Sequence, residues 1–202
     1  MNYQELQTQV ADYMHRTDLA AQIPGFIEKA RTRINRDLRA QVMIAEPVTL
    51  TPTTNPFVVP QQFIEMRDIY YEGAANRISL TLVGRKQLDS YARNSGGRPW
   101  FYSLDGYWIE TAPSGIGTEF TFIYYMAEEA LVNPTDENAT MFLYPTIWLY
   151  ASLIEAHSYA QDLTLMEQAV SFYTSELSRV NNASAEALSG ASLQMEGASQ
   201  WL

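Results

Sequence analysis

The 202-residue chain is 47% hydrophobic and 12% aromatic, enough for a core without staples. It has no cysteine, which excludes disulfides, thiolate catalysis and sulfur-ligated zinc, and its net charge of −10 disfavours sequence-specific DNA binding. The longest apolar run, residues 141–154, is interrupted by Tyr144, Pro145, Thr146 and Ser152 and is too short to span a bilayer.

The start, Met1-Asn2-Tyr3-Gln4-Glu5, carries no recognisable signal peptide, so a soluble chain is expected. Tyr3, Leu6, Val10, Tyr13 and Met14 recur at helical spacing and predict a first helix ending near Thr17-Asp18. Pro24 suits a first-turn position, and Ile27, Ala30, Ile34 and Leu38 mark the stripe of a second helix reaching about Ala40. On that helix Lys29, Arg33 and Arg36 share a face away from the stripe, with Arg31 and Arg39 to either side. This face is a candidate docking surface, set against the plainer reading of solvated charge.

From Met43 the period changes to two, and Pro47, Pro52, Pro56 and Pro60 keep the strands around Val48-Thr49-Leu50 and Phe57-Val58-Val59 short and edge-like. Residues 61–65 predict one helical turn, 66–71 a strand, 77–82 its return, and 86–93 a short helix with Leu88 and Tyr91 inward. Gly96-Gly97 then break the chain before an aromatic stretch centred on Asp105-Gly106, a dipeptide suited to a type I′ hairpin turn. The expected faces are Tyr102, Leu104, Trp108 and Glu110 against Phe101, Ser103, Tyr107, Ile109 and Thr111. Aromatics on both faces mean that one face is buried at home and the other against helices, a ligand or another subunit. Trp100, Tyr102, Tyr107 and Trp108 are therefore candidate contact residues. A strand over 118–126 follows, alternating Phe120, Phe122, Tyr124 against Thr121, Ile123, Tyr125.

Pro145 opens the main helix, with Trp148, Leu149, Ser152, Leu153, Ala156 and Tyr159 on its densest face and Ile147, Ala151 and Ile154 widening it, so it is expected to be nearly surrounded. Leu165, Ala169, Phe172, Tyr173, Glu176, Leu177 and Val180 make a last amphipathic helix. Beyond Asn181-Asn182 the chain turns to Ala, Ser and Gly and ends in Trp201-Leu202, where Trp201 is a candidate anchor. The fold class expected is α+β. A helical bundle from the N- and C-terminal segments (1–42 and 140–190) carries an inserted antiparallel β region (43–139), followed by a tail (191–202).

Residues 1–98 hold twelve of the thirteen Lys and Arg against ten Asp and Glu, a balance of +2, whereas residues 99–202 hold Arg179 alone against thirteen acids, a balance of −12. Such a surface repels phosphate, unless it is only the solvated faces of helices. Catalytic chemistry is not legible. His15 and His157 are far apart in sequence, Gly115-Ile116-Gly117 precedes a strand rather than a helix, Asp105 belongs to a turn, and for Glu128-Glu129 no partner carboxylate is identifiable from the sequence. The chain reads as no enzyme, with no cofactor and no metal site.

An ordered series of segments resembles a known family. Ile23-Pro24-Gly25-Phe26-Ile27 followed by Ala30-Arg31-Thr32-Arg33-Ile34-Asn35-Arg36-Asp37-Leu38-Arg39, then Pro60-Gln61-Gln62-Phe63-Ile64-Glu65-Met66-Arg67, Gly96-Gly97-Arg98-Pro99, the strands around Asp105-Gly106, Ala112-Pro113 and Tyr144-Pro145 are similar to the adaptor, or head-to-tail connector, proteins of short-tailed bacteriophages, including the tail tubular protein A group. Gln62 stands where that family often has an acidic residue. The resemblance covers about residues 3–180 and implies a structural virion protein of the neck or tail, assembled in the host cytoplasm. It implies a ring, typically of twelve copies, between the portal protein and the tail tube or nozzle, through which DNA passes without specific binding and without a membrane. The competing readings are a glycan or receptor-binding module, in which Trp100, Tyr102, Tyr107 and Trp108 stack on sugar rings, and a head-completion protein.

Overall fold

The computed structural model describes residues 1–16, 18–73, 76–91 and 97–189. In chain order the elements are α1 (Tyr3–Met14), α2 (Ile23–Asp37), β1 (Val48–Leu50), β2 (Phe57–Val58), β3 (Phe63–Glu72), β4 (Arg77–Ser79), β5 (Thr81–Leu82), α3 (Arg85–Leu88), β6 (Phe101–Asp105), β7 (Trp108–Ala112), β8 (Phe120–Met126), α4 (Ala139–Leu143), α5 (Pro145–Tyr159) and α6 (Leu163–Ser189), with one 3₁₀ turn at Gln41–Met43. Among the described residues the fold is thus α+β, with six helices and two four-stranded sheets. The chain divides into two compact units, Met1–Met43 with the chain from Glu128 onward, and Ile44–Ala127. The tail expected over 191–202, with Trp201, lies outside the described residues.

In the first unit α5 is the buried element. Ile147, Trp148, Leu149, Ala151, Ser152, Leu153, Ile154, Ala156 and His157 are all buried, and α1, α2, α4 and α6 each pack on it. Trp148 is enclosed and its Nε1–H donates to Thr140 Oγ1 at 3.0 Å, which satisfies the one polar atom of the indole. The Asn2 side chain accepts from Glu5 N at 2.8 Å while Glu5 Oε2 accepts from Asn2 N at 3.0 Å, a capping box that starts α1. That helix stops at Met14, before the expected Thr17-Asp18, because His15 turns left-handed (φ 49°) and its N–H returns to Asp12 O. In α2, Ile23, Phe26, Ile27, Ala30 and Ile34 face inward, and Leu38, although beyond the helix end, is also buried. Asn138 caps the short α4 by accepting from Met141 N at 2.8 Å.

The second unit stacks two sheets, ordered β1-β8-β3-β4 and β2-β7-β6-β5. Phe57, Ile69, Leu80, Tyr102, Ile109, Phe120, Phe122 and Tyr124 form the core of this unit. The strand expected over 77–82 is broken at Leu80. Its N–H donates to Ile69 O at 2.9 Å in the first sheet, whereas Thr81 N donates to Trp100 O at 2.9 Å in the second, so the chain changes sheets there. As a result β5 pairs parallel with β6, a departure from an all-antiparallel region. No helical turn forms over 61–65; Gln62 adopts φ 56° and β3 begins at Phe63, where the ladder with β8 reaches Met126. Gly115 is held to glycine by packing, since a Cβ there would lie 2.3 Å from Phe120 Cζ.

The hairpin forms in a different register from the one expected. Asp105 pairs with Trp108, which leaves Gly106-Tyr107 as the two-residue loop, with positive φ (59°) at Gly106 alone, as a type II′ rather than I′ loop requires. Tyr102 and Leu104 therefore share a face with Thr111 and Ile109, and Phe101, Ser103 and Asp105 share the other with Ala112, Glu110 and Trp108. The first of these faces enters the core.

Candidate interaction site

The outward face of the β2-β7-β6-β5 sheet carries the aromatic residues that the core leaves out. Val58 pairs with Trp108 and Trp108 with Asp105, which sets one row across three strands, and Tyr107 stands beside it in the loop. Tyr107 is 70% exposed, Trp108 51% and Val58 52%. The Asn55 side chain extends the β2 edge by donating to Thr111 O at 2.8 Å and accepting from Thr111 N at 3.0 Å. Arg85, the first residue of α3, is the electrostatic hub, with Nη1 3.0 Å from Asp105 Oδ2 and 2.5 Å from buried Glu110 Oε2, and Nε 3.5 Å from Asp89 Oδ1. Pro56, Arg85, Asp105, Trp108 and Glu110 line an open depression of about 330 Å³. Tyr102 lies on the opposite side, in the core, where burial and the Asp68 charge push its phenol above the ordinary value. Trp100 is 49% exposed and lies under the Arg98 guanidinium, 4.3 Å from the ring centroid.

The basic face of α2 is largely neutralised within its own unit. Arg33 Nη2 lies 2.5 Å from Glu155 Oε1 of α5, Arg31 pairs with Glu28 and donates to Glu128 O at 2.8 Å, and Arg39 Nη1 donates to Leu38 O at 2.7 Å. Arg36 is exposed and pairs with Asp37 at 2.6 Å. Burial alone would raise the Asp37 carboxyl, but the Arg36 hydrogen bond and charge, with the Tyr173 hydroxyl and the Arg33 charge, together hold it below its ordinary value. Lys29 is exposed. The structure thus brings Tyr107 and Trp108 together, places Trp100 beside Arg98, turns Tyr102 inward, and engages Arg33 inside the helical unit.

The SU10 adaptor protein family model matches residues 1–195. The chain belongs to that family. It is a phage structural adaptor, a virion component whose business is contact with other virion proteins, and the family points to a structural rather than enzymatic role. No curated protein matches the chain. Among the described residues of this SU10 adaptor no helix is long and apolar enough to cross a membrane, and no group of three or more His, Asp or Glu is arranged to hold a metal ion.

Sequence reasoning missed a second set of exposed apolar residues on the adaptor's helical unit: Val132, Phe142, Leu143, Leu163 and Phe172, the last stacked on Tyr150 at 5.0 Å. Phe172 was expected on the buried stripe of α6. Ala169, Tyr173 and Val180 of the expected pattern are buried, and Ser184 extends their stripe, whereas Phe172 and Leu165 lie on its exposed flanks. The signal for Val132 lies in Asp136, whose carboxylate accepts from Val132 N at 2.8 Å and Asn133 N at 2.7 Å and folds the loop so that Val132 is 75% exposed.

Proposed function

We propose that this adaptor forms a closed ring, of twelve copies, between the portal protein and the tail tube or nozzle, with a lumen for DNA passage, as in the tail tubular protein A group. The observation that carries the reading is the exposed set Val58, Trp108 and Tyr107 on the outward side of the sheet, beside the Asp105–Arg85 ion pair, an apolar surface without a use inside the subunit that contains it. A cyclic ring needs two different patches on each copy, and the aromatic face of the β unit and the helical unit's exposed residues supply two. Trp100, Tyr107 and Trp108 are the contact residues we favour, with Lys29 and Arg36 on α2 and Trp201 in the tail. Arg33 and Tyr102 would act from behind, by holding α2 on α5 and the hairpin on its core. The helices would form the bundle that carries the β unit. The −12 balance of residues 99–202 suits a lumen along which phosphate slides without sticking, in a neck or tail component assembled in the host cytoplasm.

The test is co-sedimentation of the purified chain with tailless, portal-bearing heads. A monomer by light scattering that saturates the heads at a fixed ring stoichiometry supports the proposal; stable closed rings of the free chain, or no binding to heads, contradict it. A second reading rests on the depression beside Trp108, where an indole flanked by Asp105 and Glu110 resembles a sugar-stacking site. Saturable glycan binding lost in Trp108→Ala would favour it.

A further inference from the structure

Arg98 differs from every other described arginine. Arg16, Arg31, Arg33, Arg36, Arg67, Arg77, Arg85 and Arg179 each pair with a carboxylate, and Arg39 donates to backbone carbonyls. Arg98 has aromatic rings instead: its guanidinium lies 4.3 Å from the Trp100 centroid and 5.7 Å from that of Tyr71. Its Nε is buried without an acceptor. Ser114, on the continuation of β7 as Arg98 is on that of β6, has a buried hydroxyl that is likewise unsatisfied. Buried donors are almost always satisfied, and two exceptions at the same end of one hairpin mark a surface that is incomplete in the single chain.

We infer that Arg98, framed by Tyr71 and Trp100, is a receptor for a carboxylate, and that the carboxylate belongs to a second copy of this chain. The inference rests on the ring reading above. Two rings limit the guanidinium's motion and keep water from its faces, so its edge is ready for the two parallel hydrogen bonds that a carboxylate accepts. A nucleic-acid backbone would instead draw on several cations, whereas Arg85, at the start of the helix that packs on β6, is already held by three carboxylates. Charge complementarity points to another copy: past Arg98 the chain offers thirteen acids against Arg179 alone. Such a contact joins unlike patches, as closure of a ring requires.

Two experiments on the full-length chain test this. In the first, wild-type protein is footprinted with butanedione, free and bound to portal-bearing heads. Arg98 should be modified in the free chain and protected roughly tenfold or more in the assembly. Equal modification in both states overturns the inference, as does protection produced by DNA alone. In the second, ¹⁴N- and ¹⁵N-labelled Arg98→Lys chains are mixed, assembled on heads and treated with a carbodiimide, which condenses an amine with a carboxylate in contact. Mixed-isotope links from position 98 to an Asp or Glu support it. Links to portal peptides, links within one chain only, or rings without links overturn it. If Arg98→Lys does not assemble, the wild-type footprint decides. If wild-type protein itself makes no rings, it is the ring reading that has failed, and the carboxylate site falls with it.

Discussion

The two units place their described tryptophans in opposite ways. In the helical unit Trp148 is at the centre, enclosed by the neighbours of α5 with its N–H satisfied, and the arginines of α2 find acids or carbonyls within reach. In the β unit the tryptophans are at the periphery, Trp100 and Trp108 are about half exposed, and Arg98 stacks on rings without an acid. The lesson is that a tryptophan enclosed with its N–H satisfied supplies rigidity, whereas large side chains left over supply contacts, whether Trp108 and Tyr107 in the β unit or Phe142 and Phe172 in the helical one.

The contrast breaks most readily at its centre. Trp148→Ala should cost about 3–5 kcal/mol through the cavity it leaves and the lost Nε1–H bond to Thr140, whose hydroxyl keeps its bond to Asn138 Oδ1, read as a lower denaturant midpoint of the helical signal. Gly115→Ala should cost about 1–3 kcal/mol in the β unit, because Phe120 cannot yield to a Cβ 2.3 Å from its ring without leaving the core. Near-UV circular dichroism of the aromatic core is the readout, and an unchanged spectrum with unchanged stability would contradict the packing described.

A smaller effect is set by pH. Burial holds the His157 imidazole below its ordinary 6.5, against the opposing pull of Asp162. The unfolded chain then binds that proton more readily, so the stability His157 contributes is present above pH 6.5 and is lost as pH falls through the lower folded value. His157→Gln should flatten the pH dependence of stability as pH falls below the ordinary imidazole value of 6.5. A slope identical to wild type would remove the role assigned to burial. The smallest effect on stability is expected at the periphery: Tyr107→Ala and Trp108→Ala should each change the melting free energy by about 1 kcal/mol or less while weakening attachment to heads. A loss of stability comparable to Trp148→Ala would show that these rings serve the fold.

The same contrast explains what was legible in the sequence. Ile27, Ala30 and Ile34 in α2, and the all-round apolar surface of α5 behind Pro145, follow from a local period and could be read directly. Where the outcome depends on residues far apart in the chain, local signals mislead. Asp105-Gly106 is a fitting turn dipeptide, yet Asp105 stays in the strand, where Arg85 reaches its carboxylate and Trp108 pairs with Val58 across β2. That one-residue change separates Tyr102, in the core, from Trp108, with which it was expected to share a face. Leu80 reads as mid-strand, but the carbonyl of Ile69 claims its N–H and sends the chain to the other sheet. Arg98 looked like punctuation beside Gly97 and Pro99, and only the fold brings the Tyr71 ring to 5.7 Å from its guanidinium. For the candidate site, the residue types were legible and their exposure was not.

The direct measurement is electron microscopy of tailless portal-bearing heads before and after addition of the purified chain, with Trp108→Ala as the paired sample. The ring reading predicts one added annulus with an open lumen at the portal vertex for the wild-type chain and sharply reduced occupancy for the variant. Heads without added density, or equal occupancy by both proteins, would contradict it.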